Sequence, residues 1–419
     1  MPKLAKVPLC FIALIIGGCV VDDEKGGTAT DIQEVEIWHT FVVNSPEEEI
    51  LLRAIDAFEK AHPNVVVEAT RIPYLQNLQQ FINASQGGEA PDIIRVSDTE
   101  LAKIGHITVE GLPLLEDLRP HITPAQRQRF TTRSITAMRY GVPLYAVPVS
   151  QGSLSLLYNK AMFDAAGLEI PQDDWTTDDL LAAARAMSGD DTYGLSVPLT
   201  WSFWFVPVMT GFGGSLFHAD GEPAFASPDT AAAMEWYLSL ERQHRVSAPG
   251  TRIESMSTRF TTEKAAMILD GSWNVASYLD EGIDLGQTIL PTVAATGKRM
   301  RPILSYFGWA VSKQSDVKVA SVDLALWLSS AAVQKEFALE TYMVPTDASL
   351  ALDPDVVNDP FLAGFLRQAR HGSSVPTSRA TNLVFEQLDT ALEMTYTGAM
   401  DSEEALDAAR ATLEEMLQQ

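Results

Sequence analysis

The sequence predicts an α/β protein built as two lobes around parallel sheets. The chain has 419 residues. That length exceeds what one small hydrophobic core organises, so we expect two lobes. Short apolar strands also alternate with amphipathic helices at the spacing of βαβ units, and this order builds a parallel sheet.

The first βαβ unit lies near the start of the chain. Residues 35–38 (VEIW) alternate apolar and polar side chains, as a half-buried strand does. Ser45 is expected to cap the next helix, with Pro46 at its first position and Glu48 completing a capping box. Residues 65–68 (VVVE) form the second strand, which completes the unit.

The same alternation continues along the chain. Further strands are predicted at 91–96, 144–148, 154–158, 193–198 and 307–312. Further helices are predicted at 75–84, 175–187, 228–245, 322–339, 359–370, 380–397 and 402–417. We find no internal repeat and no low-complexity tract in the sequence.

The first 18 residues have the parts of a secretory signal. Lys3 and Lys6 precede an apolar run at 7–16, which is shorter than the roughly 18 residues of a membrane-spanning helix. Two glycines and Cys19 then resemble a bacterial lipobox, in which Cys19 takes a lipid such as palmitate and becomes the mature N-terminus. The alternative is an ordinary cleaved signal with an incidental thiol. Residues 19–31 have little apolar surface to bury, so we expect a tether.

We therefore expect an exported protein that a lipid anchors to the cell membrane or the outer membrane, facing the periplasm or the exterior. The formal net charge is -25, which argues against nucleic acid and against a polybasic membrane patch. The two cysteines, Cys10 and Cys19, both lie at the N-terminus, so cysteine catalysis and disulfides are excluded from the mature domain.

Known catalytic and cofactor motifs are absent from the sequence. The seven histidines are scattered without an HExxH pattern, and there is no nucleophile elbow, phosphate loop or dinucleotide fingerprint. We therefore predict no catalytic residue, no metal and no cofactor. Acidic residues are plentiful, so a two-carboxylate glycoside hydrolase stays open as an alternative.

A set of short motifs lies in a fixed order along the chain. They are VEIW at 35–38, AFEKAHP at 57–63, GEAPDII at 88–94, VP at 147–148, LYNK at 157–160, KAAM at 264–267, GSW at 271–273, LP at 290–291, VPT at 344–346 and TG at 397–398. Together they resemble the extracellular solute-binding protein family that includes maltose-binding protein. The resemblance covers nearly all of the mature chain and is greatest to binders of malto-oligosaccharides and other sugars.

The resemblance implies a two-lobed periplasmic-binding-protein clamshell with three hinge crossings, near 148–150, 287–292 and 328–330. The N-terminal lobe would then be 31–148 plus 292–329, and the C-terminal lobe 149–291 plus 330–419. The ligand would lie between the lobes, where the carboxyl ends of strands meet. It also implies a monomer that delivers a carbohydrate to ABC permease subunits in the membrane. A sugar sensor with the same clamshell is an alternative.

A sugar site needs aromatic platforms beside polar groups of fixed geometry. Candidates at predicted strand ends or in loops are Trp38, Trp201, Trp204, Trp273 and Trp309. The resemblance implies stacking by Trp273. The cluster at 200–205 also has the composition of a buried helix, so one of Trp201 and Trp204 is open to a core assignment. The remaining tryptophans begin or lie inside helices and are assigned to the core: Trp175, Trp236 and Trp327.

Polar candidates complete the predicted ligand-binding set. Asp98 follows a predicted strand, and its carboxylate can accept two sugar hydroxyls. Gln151 lies beside a hinge crossing, next to the position where the maltose binder has a glutamate. His39, Tyr306 and Arg379 are the other predicted contacts. The maltose binder has a stacking aromatic just after Arg379, but residues 380–382 (ATN) offer none, so the identity of the sugar stays open.

Overall fold

The structure is a computed structural model that describes residues 32–418. The predicted signal, Cys19 and the tether lie outside this range. The strands are β1 Gln33–His39, β2 Val65–Arg71, β3 Ile93–Ser97, β4 Thr108–Val109, β5 Leu112–Pro113, β6 Ala146–Gly152, β7 Leu154–Asn159, β8 Tyr193–Ser196, β9 Ala265–Gly271, β10 Leu285–Thr288, β11 Ser305–Val311 and β12 Val344–Pro345.

The helices are α1 Pro46–Ala61, α2 Tyr74–Gly87, α3 Asp98–Ile104, α4 Pro124–Gln128, α5 Thr132–Ala137, α6 Lys160–Ala165, α7 Thr177–Ala186, α8 Ser202–Phe212, α9 Pro228–Arg242, α10 Ile253–Thr261, α11 Val275–Asp280, α12 Lys318–Leu328, α13 Ala331–Thr341, α14 Pro354–Asn358, α15 Pro360–His371, α16 Arg379–Thr397 and α17 Ser402–Gln418. Short 3₁₀ turns cover Ser272–Asn274 and Ala348–Leu352. No helix within 32–418 has both the length and the apolar character to span a bilayer.

Two separate sheets organise the fold. The first has the order β12-β6-β11-β3-β1-β2, and the second has the order β10-β7-β9-β8. Pairing is parallel between β1 and its neighbours β2 and β3, and between β8 and β9. Strand β11 runs antiparallel to both β3 and β6. The predicted α/β architecture with two lobes is confirmed, although the sheets are mixed rather than wholly parallel.

Each sheet is covered by helices that form its own hydrophobic core. In the first lobe, α1 buries the five residues of its apolar stripe, Ile50, Leu51, Ala54, Ile55 and Phe58, and packs beside α12 and α13. Burying a leucine, isoleucine or phenylalanine side chain contributes roughly 1.5–3 kcal/mol. In the second lobe, α8, α9, α16 and α17 pack together over the smaller sheet.

The start of α1 shows how local sequence fixes an element. The Ser45 hydroxyl accepts a hydrogen bond from the backbone N–H of Glu48 at 3.3 Å, as predicted. The Glu48 carboxylate, however, accepts from the N–H of Asn44 at 2.6 Å rather than from that of Ser45. The expected capping box is therefore only half formed, and Asn44, whose N–H replaces that of Ser45, has a φ of 60°.

The first two hinge crossings lie later than the resemblance implied. Gly152 still pairs with Ser305 in the first sheet, whereas Leu154 pairs with Gly271 in the second. The chain therefore crosses at Ser153, because hydrogen bonds to β11 hold β6 in the first sheet beyond 148–150. Residues 292–303 pack in the second core, so the expected start of the first-lobe segment at 292 is corrected to about 304.

The third crossing also differs from the expected position at 328–330. Helix α13 packs on α1, and Phe337 lies in the first core, so the segment 331–341 belongs to the first lobe. Strand β12 then pairs with β6, and the chain leaves the first sheet after Pro345. The single helix predicted at 322–339 is interrupted, because Ser330 starts a new helix by accepting from the N–H of Val333 at 3.4 Å.

Candidate ligand-binding site

Trp273 lies where the chain crosses between the lobes. It follows β9 on the turn Ser272–Asn274, and 41% of its surface is exposed. A Cβ atom added to Gly152 would come within 3.1 Å of the Trp273 ring, and one added to Gly271 would come within 2.1 Å. The ring therefore rests against backbone at the first crossing, and glycine at these two positions leaves room for it.

A buried carboxylate holds the turn that carries Trp273. Asp270 accepts hydrogen bonds from the N–H of Gly271 at 2.8 Å and from the side chain of Asn274 at 2.8 Å. It also accepts a short hydrogen bond from the hydroxyl of Tyr278. Burial raises the pKa of Asp270, and these three donors oppose that rise. Because these three donors hold both carboxylate oxygens, the turn has little freedom and the orientation of Trp273 is set.

The aromatic cluster that precedes and begins α8 adds two further rings. The Phe203 ring centroid lies 6.4 Å from that of Trp273. Trp201 is 43% exposed at the N-cap of α8, and the next N–H, that of Ser202, donates to Asp389 at 2.6 Å. This bond from α16 fixes where the helix begins. Two aromatic side chains, Phe203 and Trp273, are thus brought together at the edge of the second lobe, with Trp201 exposed beside them in sequence.

Asp98 approaches the same place from the first lobe. Its carboxylate accepts from the Ser305 hydroxyl at 3.2 Å and from the N–H of Thr99 at 3.0 Å. Ser305 pairs with Gly152, and directly paired residues point to the same face of a sheet. Asp98, Ser305 and Trp273 therefore lie on one face of the hinge strands. Asp98 is only 4% exposed, and burial raises its pKa to about 7.

Gln151 and Tyr306 face the other side of the same strands. They pair with each other and are the immediate neighbours of Gly152 and Ser305, and adjacent strand residues point to opposite faces. Both line a cavity of about 590 Å³ together with Arg133. The structure therefore separates these two predicted ligand contacts from Trp273.

Comparison with known proteins decides the family. Residues 53–364 match the model of a family described as bacterial extracellular solute-binding protein. The chain belongs to this family. A galactooligosaccharide-binding protein of Bacillus subtilis is 26% identical over 86% of this chain and 84% of its own length. A maltooligosaccharide ABC transporter solute-binding lipoprotein of Streptococcus pneumoniae is 20% identical over 99% of this chain and 96% of its own.

Solved structures show the same solute-binding fold. The maltose/maltodextrin-binding domain MalE from Bdellovibrio bacteriovorus, bound to maltotriose, superposes with a TM-score of 0.81 at 23% identity. The superposition covers 92% of this chain and all of that one. At this level of identity the likeness concerns the fold, and the two-lobed clamshell of the solute-binding family is therefore shared.

Several residues predicted to contact the solute lie elsewhere in this solute-binding chain. Trp204 is 8% exposed and its indole N–H donates to the carbonyl of Leu269 at 2.9 Å, so the structure places it in the second core. Trp309 is 1% exposed and belongs to the first core, because β11 lies inside the sheet. His39 is buried beside Phe41, and this burial lowers the pKa of His39.

The two other predicted contacts, Trp38 and Arg379, form hydrogen bonds to other groups at the protein surface. Trp38 is half-buried on the first lobe, and its indole N–H donates to the Glu36 carboxylate at 2.7 Å. Arg379 is exposed and donates to the carbonyl of Met416 on α17 at 3.2 Å. The tryptophans assigned to the core pack as predicted, two against the second core and one against the first: Trp175, Trp236 and Trp327.

Sequence reasoning missed a buried cation on β3, an inner strand of the first sheet. The Arg95 guanidinium lies between the rings of Phe41, at 4.6 Å, and Phe307, at 4.2 Å, and donates to the Thr40 hydroxyl at 2.8 Å. Burial lowers the pKa of Arg95 to about 10. The available signal was an arginine inside the otherwise apolar run IIRV at 93–96. Among residues 32–418, no cluster of histidine, cysteine or acidic residues is suited to hold a metal ion.

Proposed function

We propose that the chain binds a sugar or oligosaccharide between its lobes and delivers it to the membrane subunits of an ABC importer. The observation that carries this proposal is Trp273, an exposed indole held rigidly at the crossing between the lobes, with Phe203 beside it and Asp98 on the same face. Aromatic rings stack on the apolar faces of sugars, and a carboxylate accepts their hydroxyls. The sugar-binding relatives from Bacillus and Streptococcus support this class of ligand.

Both lobes contribute to the proposed site, which links binding to closure. Asp98 and Ser305 belong to the first lobe, whereas Phe203 and Trp273 belong to the second. A sugar that touches both sets of residues binds the closed arrangement more tightly than the open one, and so shifts the hinge equilibrium toward closure. The closed form is the one that the importer subunits would recognise.

We also propose that the protein acts as an exported monomer that a lipid on Cys19 holds at the membrane. The Streptococcus relative, which is named a lipoprotein, supports the anchor. The lipid would keep the binding domain close to its permease without a membrane-spanning helix. The energy for import would come from the permease complex and not from this chain.

Binding without chemistry agrees with the carboxylates at the site. Glycoside hydrolysis requires two carboxyl groups at opposite sides of the scissile bond. Asp270, three residues before Trp273, is fully buried and already accepts three hydrogen bonds. It has no access to a sugar at the Trp273 ring, so we propose release of the sugar unchanged.

A ligand screen tests the proposal. The purified chain is heated with maltotriose, galacto-oligosaccharides, trehalose, sucrose, cello-oligosaccharides or xylo-oligosaccharides, and a bound sugar raises the melting temperature by mass action. The Trp273→Ala variant should show a much smaller shift, whereas Trp236→Phe, altered in the second core, should keep the full shift. Sugar recovered as smaller products would indicate a hydrolase instead. No shift with any sugar would rule out a carbohydrate ligand.

A further inference from the structure

A second cavity lies behind the hinge, on the face opposite Trp273. Its volume is about 590 Å³, within the range of small-molecule sites. Both lobes form its walls. Arg133 comes from α5 in the first lobe, while Arg367 and Arg370 come from α15 in the second. Because the walls belong to different lobes, the shape of this rear cavity changes whenever the hinge moves.

The rear cavity concentrates positive charge in a strongly acidic chain. The protein has a formal net charge of -25, yet three exposed arginines, Arg133, Arg367 and Arg370, line this one space. Among residues 32–418, Arg367 is the one of the three that pairs with a carboxylate, that of Asp173 at 3.4 Å. Arg133 donates to the carbonyl of Ala369 at 3.2 Å, which leaves its other N–H groups for a ligand.

A buried hydroxyl provides the second observation. Tyr306 lines the rear cavity and its side chain is fully buried. No group within residues 32–418 makes a hydrogen bond of good geometry to its hydroxyl, and the Ser374 side chain is the one that interacts with it. Buried polar groups in folded proteins nearly always have a partner, and an unpaired one indicates a missing ligand or water. The hydroxyl is therefore available to donate into the rear cavity.

We propose that the rear cavity binds a small anionic molecule that carries a phosphate or carboxylate group, separately from the sugar. Guanidinium groups bind both kinds of oxyanion through paired, charge-assisted hydrogen bonds. Arg133 and Arg370 supply the charge from the two lobes, and the Tyr306 hydroxyl donates from the cavity wall. The anion thus bridges the lobes at the back of the hinge, as the sugar bridges them at the front.

The two sites share one hinge and are therefore coupled. In the conformation described, Asn382 of the second lobe donates to the Thr99 carbonyl of the first at 3.3 Å, and the rear cavity is open. An anion that fits this cavity favours the conformation in which the lobes touch, and so strengthens sugar binding. Coupling of this kind is reciprocal. The coupling rests on the proposed sugar function, whereas anion binding itself does not.

Calorimetric titration of the purified full-length chain tests the anion site. Inorganic phosphate and citrate are titrated separately, with sodium chloride holding the ionic strength constant. We expect saturable binding of at least one, weakened about tenfold or more by Arg133→Gln or by Arg370→Gln, since each loses a charge-assisted hydrogen bond. Arg410→Gln, altered at an exposed arginine on α17, should bind as the parent does. Binding of one probe alone assigns the oxyanion class.

The proposal is overturned if neither probe binds saturably, or if both cavity variants bind as tightly as the parent chain. The coupling is measured by sugar titrations with and without saturating phosphate or citrate. We expect about fivefold tighter sugar binding with the anion, and no such gain in Arg133→Gln, which should bind sugar normally in anion-free buffer. Unchanged sugar affinity refutes the coupling alone. A chain that binds no sugar refutes the proposed function, while the anion titration is still decided on its own.

Discussion

Asp98 makes the stability of the ligand-free protein depend on pH in an unusual direction. Its carboxylate is 4% exposed, and the loss of hydration raises its pKa from 3.8 to about 7, although Ser305, Thr99 and the N–H of Tyr306 donate to it. In the unfolded chain the same group has its ordinary pKa. The folded state therefore holds a proton between these two values that the unfolded state has released.

The sign and size of the effect follow from this difference. Below about pH 3 the carboxyl is protonated in both states, and Asp98 adds no pH dependence. As the pH rises from 4 to 7, the unfolded state releases the proton first, so the free energy of unfolding falls. A difference of about 3 between the two pKa values corresponds to about 4 kcal/mol. Above about pH 8 both states are ionised and this contribution is constant.

The Asp98→Asn variant removes the titrating carboxyl group and keeps a side chain of nearly the same shape. An amide oxygen still accepts from Ser305 and Thr99, which both donate to the same oxygen, so most of the local bonding is kept. Urea unfolding of parent and variant at pH 4, 5, 6, 7 and 8 gives the free-energy difference at each pH. The variant should gain about 3 kcal/mol relative to the parent between pH 4 and pH 7, and about 4 kcal/mol over the whole range from below the unfolded pKa to above the folded one. Asp407→Asn, altered at an exposed surface carboxylate, serves as the control. Parallel curves for parent and Asp98→Asn would refute the burial argument.

Three further variants separate the binding surface from the core. Trp273→Ala should weaken sugar binding about thirtyfold in calorimetry, because an exposed aromatic contact with the sugar is lost. The free energy of unfolding should change little, and a loss as large as that expected for a core tryptophan would contradict the exposed position of Trp273. Trp204→Ala should lower the free energy of unfolding in urea by about 3–5 kcal/mol, because it empties a core site; unchanged stability would show that it faces solvent. Gly152→Ala should displace the Trp273 ring, which alters tryptophan fluorescence, and should weaken sugar binding. Gly87→Ala, with open space around the added methyl group, should change neither the fluorescence nor the binding.

Local signals in the sequence were enough to predict most elements of the fold. Helix α1 has its cap at Ser45 and its apolar stripe at a period of 3.6, and both depend on residues close in sequence. The predicted positions of the crossings between lobes are less accurate than those of the helices, because the crossings depend on pairing between strands that are distant in sequence. Nothing near residue 150 indicates that β6 stays bonded to β11 as far as Gly152.

The aromatic cluster at 200–205 shows why the site was harder to predict than the fold. Every position from Trp204 to Met209 is apolar and buried, so no helical periodicity distinguishes a core face from a cleft face. Successive helix residues differ by about 100°, and this turn directs Phe203 to Trp273 and Trp204 to the core. The helix starts where Asp389, 187 residues away, accepts from the N–H of Ser202. That register is a tertiary contact, which local sequence does not contain.

On the hinge strands β6 and β11, neighbouring residues face opposite sides, the sugar site in front and the rear cavity behind. On β6, Gly152 faces Trp273 and Gln151 lines the rear cavity; on β11, Ser305 bonds Asp98 and Tyr306 lines the rear cavity. A strand is too stiff to move one of two neighbouring residues without the other, because their alternation is fixed by the pleat. A ligand that shifts the front pair therefore also shifts the back pair. Strands β6 and β11 thus form a wall of both the sugar site and the rear cavity. We therefore expect that an anion behind the hinge and a sugar in front of it affect each other's affinity.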